Sequence, residues 1–299
     1  MLKSLHLAKS KKQKNGGIKN MRWRDQRQSS NVEDRRGMSG GRGIALGGGG
    51  LGTIILIAVI YFCAGGDISQ LLNNLPSTTT QPQTQQQPQG SQTSGADDEN
   101  KKFASAVLAS TEDFWSENFK KSGSNYREPK LVLFTNQVQS ACGVAGSSTG
   151  PFYCPGDQNL YLDFGFFSDL KREFNAPGDF AEAYVIAHEV GHHVQNLLGV
   201  MDKVQRSGNS NEMSIRLELQ ADCLAGLWAA YAQNKGLVEA GDAEEAIRAA
   251  AAVGDDMIQK RTQGYVVPDS FTHGSSEQRV TWFKRGFNSG DLKQCQTFR

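Results

Sequence analysis

The chain has 299 residues, and its 32 Lys and Arg against 31 Asp and Glu give a formal net charge of +1 that conceals a split. Residues 1–43 hold 12 basic and 3 acidic side chains, whereas residues 64–100 hold four acids and no Lys or Arg. A hydrophobic share of 38% excludes collagen-like and wholly disordered chains, and basic charge confined to a short tail speaks against a nucleic-acid-binding fold.

After the basic tail comes an uncharged run, residues 44–63, long enough as a helix to cross about 30 Å of bilayer core. The segment before it is too long for the n-region of a cleaved signal peptide, and Phe62 before Cys63 does not suit a lipoprotein site. An uncleaved anchor is therefore expected, with the basic tail 1–43 in the cytoplasm and everything after residue 63 outside it. Gly48 and Gly52 make a GxxxG spacing, but in a glycine-rich run this is weak support for an oligomer. Residues 64–100 are rich in Gln, Thr, Ser and Pro, contain no aromatics, and read as a disordered tether.

The outer domain is expected over residues 101–299. An amphipathic helix is predicted at 101–121, with Phe103, Val107, Phe114 and Phe119 on its apolar side. Strand-like runs follow at 130–138, 152–154 and 159–164, the last a candidate edge for an extended substrate. A helix then starts at Asp179, with Glu182 completing a capping box, and closes at Gly199. Further helices are expected at about 210–234, from Asp242 to near Gly264, and from Ser275 or Ser276. Strands first and helices later make this α+β, a small antiparallel-containing sheet packed on a helical bundle.

Cys142, Cys154, Cys223 and Cys295 all fall in this domain, an even number in an oxidising compartment. Of the three pairings, Cys142–Cys154, closing a short Gly/Ser-rich loop, together with Cys223–Cys295 is preferred.

The helix from Asp179 contains His188-Glu189-Val190-Gly191-His192. Four-residue spacing puts His188 and His192 one turn apart on the same face, where two imidazoles can hold one Zn²⁺. Glu189 is turned about 100° away, placed to move a proton rather than to ligate. By chance, roughly one shuffled chain in 250 would carry this pattern. His193 does not share the ligand face and is read as packing or surface. Gln195 and Leu198 stand where a metzincin needs Gly and His, which excludes that class. Downstream, Glu218 and Asp222 are again four apart on a largely apolar helix. Glu218 is the expected third ligand, with Glu212 its rival, and Asp222 the expected grip on a ligand histidine.

HEVGH followed by ELQAD resembles the gluzincin arrangement of thermolysin-like and membrane-associated zinc peptidases. SFTHGSSEQRV, residues 270–280, is similar to a Thr-His-Pro-Ser segment of the latter group, with Gly274 in place of proline. That resemblance implies a zincin-like fold, His273 as the oxyanion donor and Arg279 as a supporting residue. From MRWRDQRQSSNVEDRRG through the glycine-rich anchor, the tether, CGVAGSSTGPFYCPGDQNLYLD and both zinc motifs, the chain resembles the bacterial "putative neutral zinc metallopeptidase" family. Members tend to begin near MRW, which implies a start at Met21 and places residues 1–20 outside the native chain.

These readings combine into a single-pass bacterial inner-membrane protein whose envelope-facing domain is a zinc endopeptidase. One Zn²⁺ per chain, a protein or peptide substrate, membrane attachment and no nucleic-acid partner are expected. Two rivals remain from sequence: a deformylase-like hydrolase with Cys142 or Cys154 as a ligand, and a non-catalytic envelope-binding module stabilised by zinc.

Overall fold

The computed structural model describes residues 20–37, 95–208 and 210–298. The apolar run 44–63 and most of the expected tether lie outside the described residues. Among the described residues, no helix is long and apolar enough to cross a membrane.

The fold is α+β. Its main sheet has four strands: β1 (Val32–Asp34), β2 (Lys130–Phe134), β5 (Phe152–Cys154) and β6 (Asn159–Asp163), in the order β1-β2-β6-β5. The first three neighbours run parallel, and β5 returns antiparallel to β6. A hairpin of β3 (Gln137–Ser140) and β4 (Gly143–Gly146) stands beside it. The run KLVLF is buried on both faces, as near-continuous apolar strands in parallel sheets are. Leu131 and Leu133, with Leu160 and Leu162 of β6, face the main core. Val132, Phe134 and Tyr161 point the other way, into a small cluster with Val138 and Cys154.

Eight helices complete the described fold: α1 (Gly95–Lys121), α2 (Gly165–Arg172), α3 (Asp179–Leu197), α4 (Val200–Arg206), α5 (Asn211–Asn234), α6 (Asp242–Ala252), α7 (Asp255–Gln263) and α8 (Ser276–Ser289). The first starts at Gly95, inside the expected tether, and the single helix expected after Asp242 is broken into α6 and α7 at Gly254. Glycines let three of these helices approach backbone to backbone. A Cβ on Gly191 of α3 would come within 3.1 Å of the Ala221 carbonyl on α5. On α5 and α8, a Cβ on Gly226 or Gly286 would strike the facing main chain at about 2 Å. Both expected disulfides are formed, Cys142–Cys154 and Cys223–Cys295.

Two expectations are corrected here. The strand 159–164 is no edge: β6 lies between β2 and β5, and the edge on that side is β5. Nor is 1–43 a tail separate from the domain. Val32–Asp34 pairs with Leu131–Leu133, Met21 and Trp23 are buried, and Trp23 meets Phe103 edge to face at 5.5 Å. Main-chain bonds join Arg22 to Leu237 and Ser29 to Ser105, at 2.8 and 3.0 Å. Strands pair within one compartment, so residues 21–37 and 95–298 share one side of any membrane. In intact cells, the exposed positions of Arg24→Cys and Lys284→Cys are expected to react alike with a membrane-impermeant maleimide. Labelling of one but not the other would break the strand pairing.

Candidate metal centre

Helix α3 is apolar almost all round and runs through the core, so its polar side chains are polar for a reason. Asp179 does not cap it as expected. The N-cap is Gly178, and Glu245 of α6 accepts the Phe180 N–H instead, at 3.1 Å. His188 and His192 are buried. Facing them from α5 is Glu218, whose carboxylate oxygens lie 3.2 Å from His188 Nε2 and 3.4 Å from His192 Nε2. One ligand atom from each of the three lies within 4.8 Å of the others. Glu212 is exposed, paired with Arg216 at 2.7 Å, and is no rival.

The other nitrogen of each imidazole is held. Asp222 is fully buried and accepts the His188 Nδ1–H at 2.9 Å. It also takes two bonds from Arg279 of α8, at 2.8 and 3.0 Å, and the Tyr184 hydroxyl at 2.5 Å. Burial alone would raise the Asp222 pKa, but the Arg279 guanidinium and His188 hold it below the usual range. His192 Nδ1–H donates to Gln195 Oε1 at 2.9 Å. Gln195 is fixed in turn by donating to Leu217 O and Gln220 Oε1, and Gln220 donates to Cys295 O. Both Nε2 atoms are thereby turned toward Glu218, where a bound metal would take a lone pair from each. Burial would raise the Glu218 carboxyl too; the two histidines keep it well below its ordinary value, ionised and ready to ligate. Two imidazole nitrogens and one carboxylate oxygen, with oriented partners behind them, are a donor set that fits zinc.

Glu189 and His273 line the same cleft, of about 690 Å³. Burial raises the Glu189 pKa, as a proton-carrying carboxyl requires. His273 is half exposed, and Asp255 at the start of α7 holds its Nδ1 at 3.0 Å. The same carboxylate takes the main-chain N–H of Thr272, His273 and Gly274. Asp255 also raises the His273 pKa, favouring an imidazolium whose Nε2–H can donate. Gly274 sits at φ +89, a conformation closed to proline, which accounts for glycine at this loop position. His193 is fully buried, donates to Arg127 O at 2.6 Å and meets the Tyr153 hydroxyl; burial pushes it down to about 4. It packs the edge strand against α3.

Sequence reasoning placed the two histidines, Glu189, Glu218, Asp222 and Arg279 where the structure brings them together. It missed the roles of Gln195 and Asp255. Gln195 was within reach, being one helical turn after His192. The Cys142–Cys154 bond sequesters both thiols, so a deformylase-like cysteine ligand is overturned.

The family described as "putative neutral zinc metallopeptidase" matches residues 21–298. The chain belongs to that family. It is 49% identical over 292 residues to the uncharacterized protein YpfJ of Escherichia coli K12, covering 93% of this chain and 99% of the relative. The uncharacterized protein Rv2575 of Mycobacterium tuberculosis H37Rv is 47% identical over 185 residues, 58% of this chain and 63% of the relative. No solved structure matches.

Proposed function

We propose that this protein is a zinc-dependent endopeptidase that cleaves extended segments of envelope proteins or peptides, with His188, His192 and Glu218 holding one Zn²⁺. The observation that carries the reading is the convergence of these three donors beside Glu189 in a cleft open to substrate. Zinc bound there supplies a Lewis acid that polarises a carbonyl and acidifies water. Glu189 takes a proton from the attacking water as its oxygen adds to the scissile carbonyl carbon. It then delivers that proton to the nitrogen as the C–N bond breaks, leaving a carboxylic acid and an amine, and the acid's proton passes on to give a carboxylate and an ammonium. His273, oriented by Asp255, donates to the oxygen that gains negative charge. The edge strand β5 and Ser147–Thr149 before it border the cleft, so the substrate pairs with β5 as an added strand. Phe152, Phe166, Phe174 and Met201 give the cleft apolar walls that favour aliphatic or aromatic side chains.

Two disulfides suit an oxidising compartment. The proposed location is therefore the envelope side of the inner membrane, with the uncharged run 44–63 as the attachment. In the test, the purified full chain cleaves an unfolded polypeptide, a zinc chelator stops it, and stoichiometric zinc restores it. Cleavage that persists once zinc content reaches zero would count against the proposal.

A further inference from the structure

A second cluster of acids lies where the first turn of α3 meets the first turn of α6. Asp179, Asp242 and Glu245 each bring a carboxylate oxygen within 4.8 Å of the others. Acids in a first helical turn are commonplace, because they complement the helix dipole. Two of these differ in having an oxygen that is buried and bonded to nothing. Asp242 is only 1% exposed; its Oδ2 takes the Glu239 N–H at 2.8 Å, and its Oδ1 has no partner. Asp179 Oδ1 takes the Met21 N–H at 3.2 Å, and its Oδ2 is likewise buried and unpartnered. Glu245 Oε2 accepts the Phe180 N–H at 3.1 Å. Its carboxyl lies directly over Gly178, where a Cβ would overlap it, so glycine leaves the space that the acid fills.

One oxygen of each acid is thus fixed by a main-chain donor, which orients the group without neutralising it. Burial raises the Asp179 pKa; with the neighbouring carboxylates adding to it, burial pushes Asp242 up to about 6 and Glu245 to about 7. Arg24 and Arg248 act against the rise at Asp179 and Glu245 without cancelling it. Buried acids with idle acceptors call for a cation.

We propose that Asp179, Asp242 and Glu245 form a binding site for Ca²⁺, distinct from the zinc centre and independent of the peptidase reading. Asp179 precedes His188 by nine residues on the same helix, roughly 14 Å along its axis. All three donors are oxygens, which suit a hard cation, whereas zinc favours nitrogen and sulfur. An ion with bonds of about 2.4 Å can touch three oxygens no more than 4.8 Å apart, and water completes the larger set that calcium takes. Magnesium demands bonds of about 2.1 Å and a strict octahedron, which acids pinned by main-chain donors do not readily give. Bound there, the ion ties the helix that carries His188 and His192 to α6 and, through Asp179, to the segment at Met21.

The test uses the full, zinc-loaded chain in calcium-free buffer, titrated with calcium chloride at constant ionic strength. Calorimetry is expected to show one saturable Ca²⁺ site per chain, with zinc content unchanged. At calcium about a hundredfold above its Kd, the melting midpoint is expected to rise by roughly 5 °C or more. Asp242→Asn keeps the size of the side chain and an acceptor for the Glu239 N–H. It is expected to weaken calcium binding about tenfold or more and to remove the shift, while zinc is retained. Glu245→Gln serves the same purpose should Asp242→Asn fail to fold. No saturable binding up to about 10 mM calcium would overturn the proposal. So would binding that both substitutions leave unchanged, release of zinc by calcium, or an equal shift from magnesium.

Discussion

Glu189→Gln is expected to reduce peptide hydrolysis by about 10²- to 10⁴-fold while zinc content and melting midpoint stay at the wild-type level. Gln keeps the size and polarity of the side chain but cannot accept a proton from water. Glu189 ligates nothing in the arrangement of His188, His192 and Glu218, so the metal does not depend on it. Burial raises its pKa, which brings the carboxyl toward the range in which a group can both take up and release a proton near neutrality. Activity assays on an unfolded polypeptide, with zinc measured on the same samples, decide the matter. A variant that keeps its zinc and its full rate would refute the role of Glu189. One that loses zinc would make Glu189 part of the metal's support.

Asp222→Asn is expected to destabilise the fold by roughly 3–5 kcal/mol, because it leaves the Arg279 guanidinium buried without its counter-charge. Arg279 is 4% exposed and makes both of its short carboxylate contacts to Asp222. The same substitution weakens the grip on His188 Nδ1, so zinc affinity should fall about 10- to 100-fold. The two effects are separable. Adding Arg279→Met removes the orphaned charge and should recover much of the melting midpoint, but not the zinc affinity. Recovery of both by Arg279→Met would mean that Asp222 serves only to neutralise the arginine.

Much of the candidate metal centre is legible in the sequence because its spacing is local. Two histidines four apart, and an acid pair four apart on an apolar helix, restrict where the side chains can point. The disulfide pairing was legible for a related reason, since one bridge closes a short loop and the other takes what remains. The contribution of Asp255 was not legible, because it depends on a loop eighteen residues further on returning to the start of α7. Strand order is not written in any strand's own residues: NLYLD reads the same at an edge or in the interior, and β5 decides which it is. The largest misreading was at residues 21–37. A three-residue strand carries little pattern, and in a basic segment before an apolar run the charge rule for membrane proteins dominated. Met21 and Trp23 are the available hints, two large apolar residues in an otherwise basic segment that the structure buries. The capping box at Asp179 failed because the helix begins one residue earlier: Gly178 is the N-cap, and its carbonyl takes the Glu182 N–H at 3.3 Å.

The relay from His192 through Gln195 and Gln220 ends on the carbonyl of Cys295, and Cys295 is bonded to Cys223, the residue after Asp222. The residues around Cys295 thus brace the imidazole of His192 from a distant part of the chain. The support of His192 is thereby tied to the Cys223–Cys295 bond, so a reducing environment is expected to loosen the candidate centre.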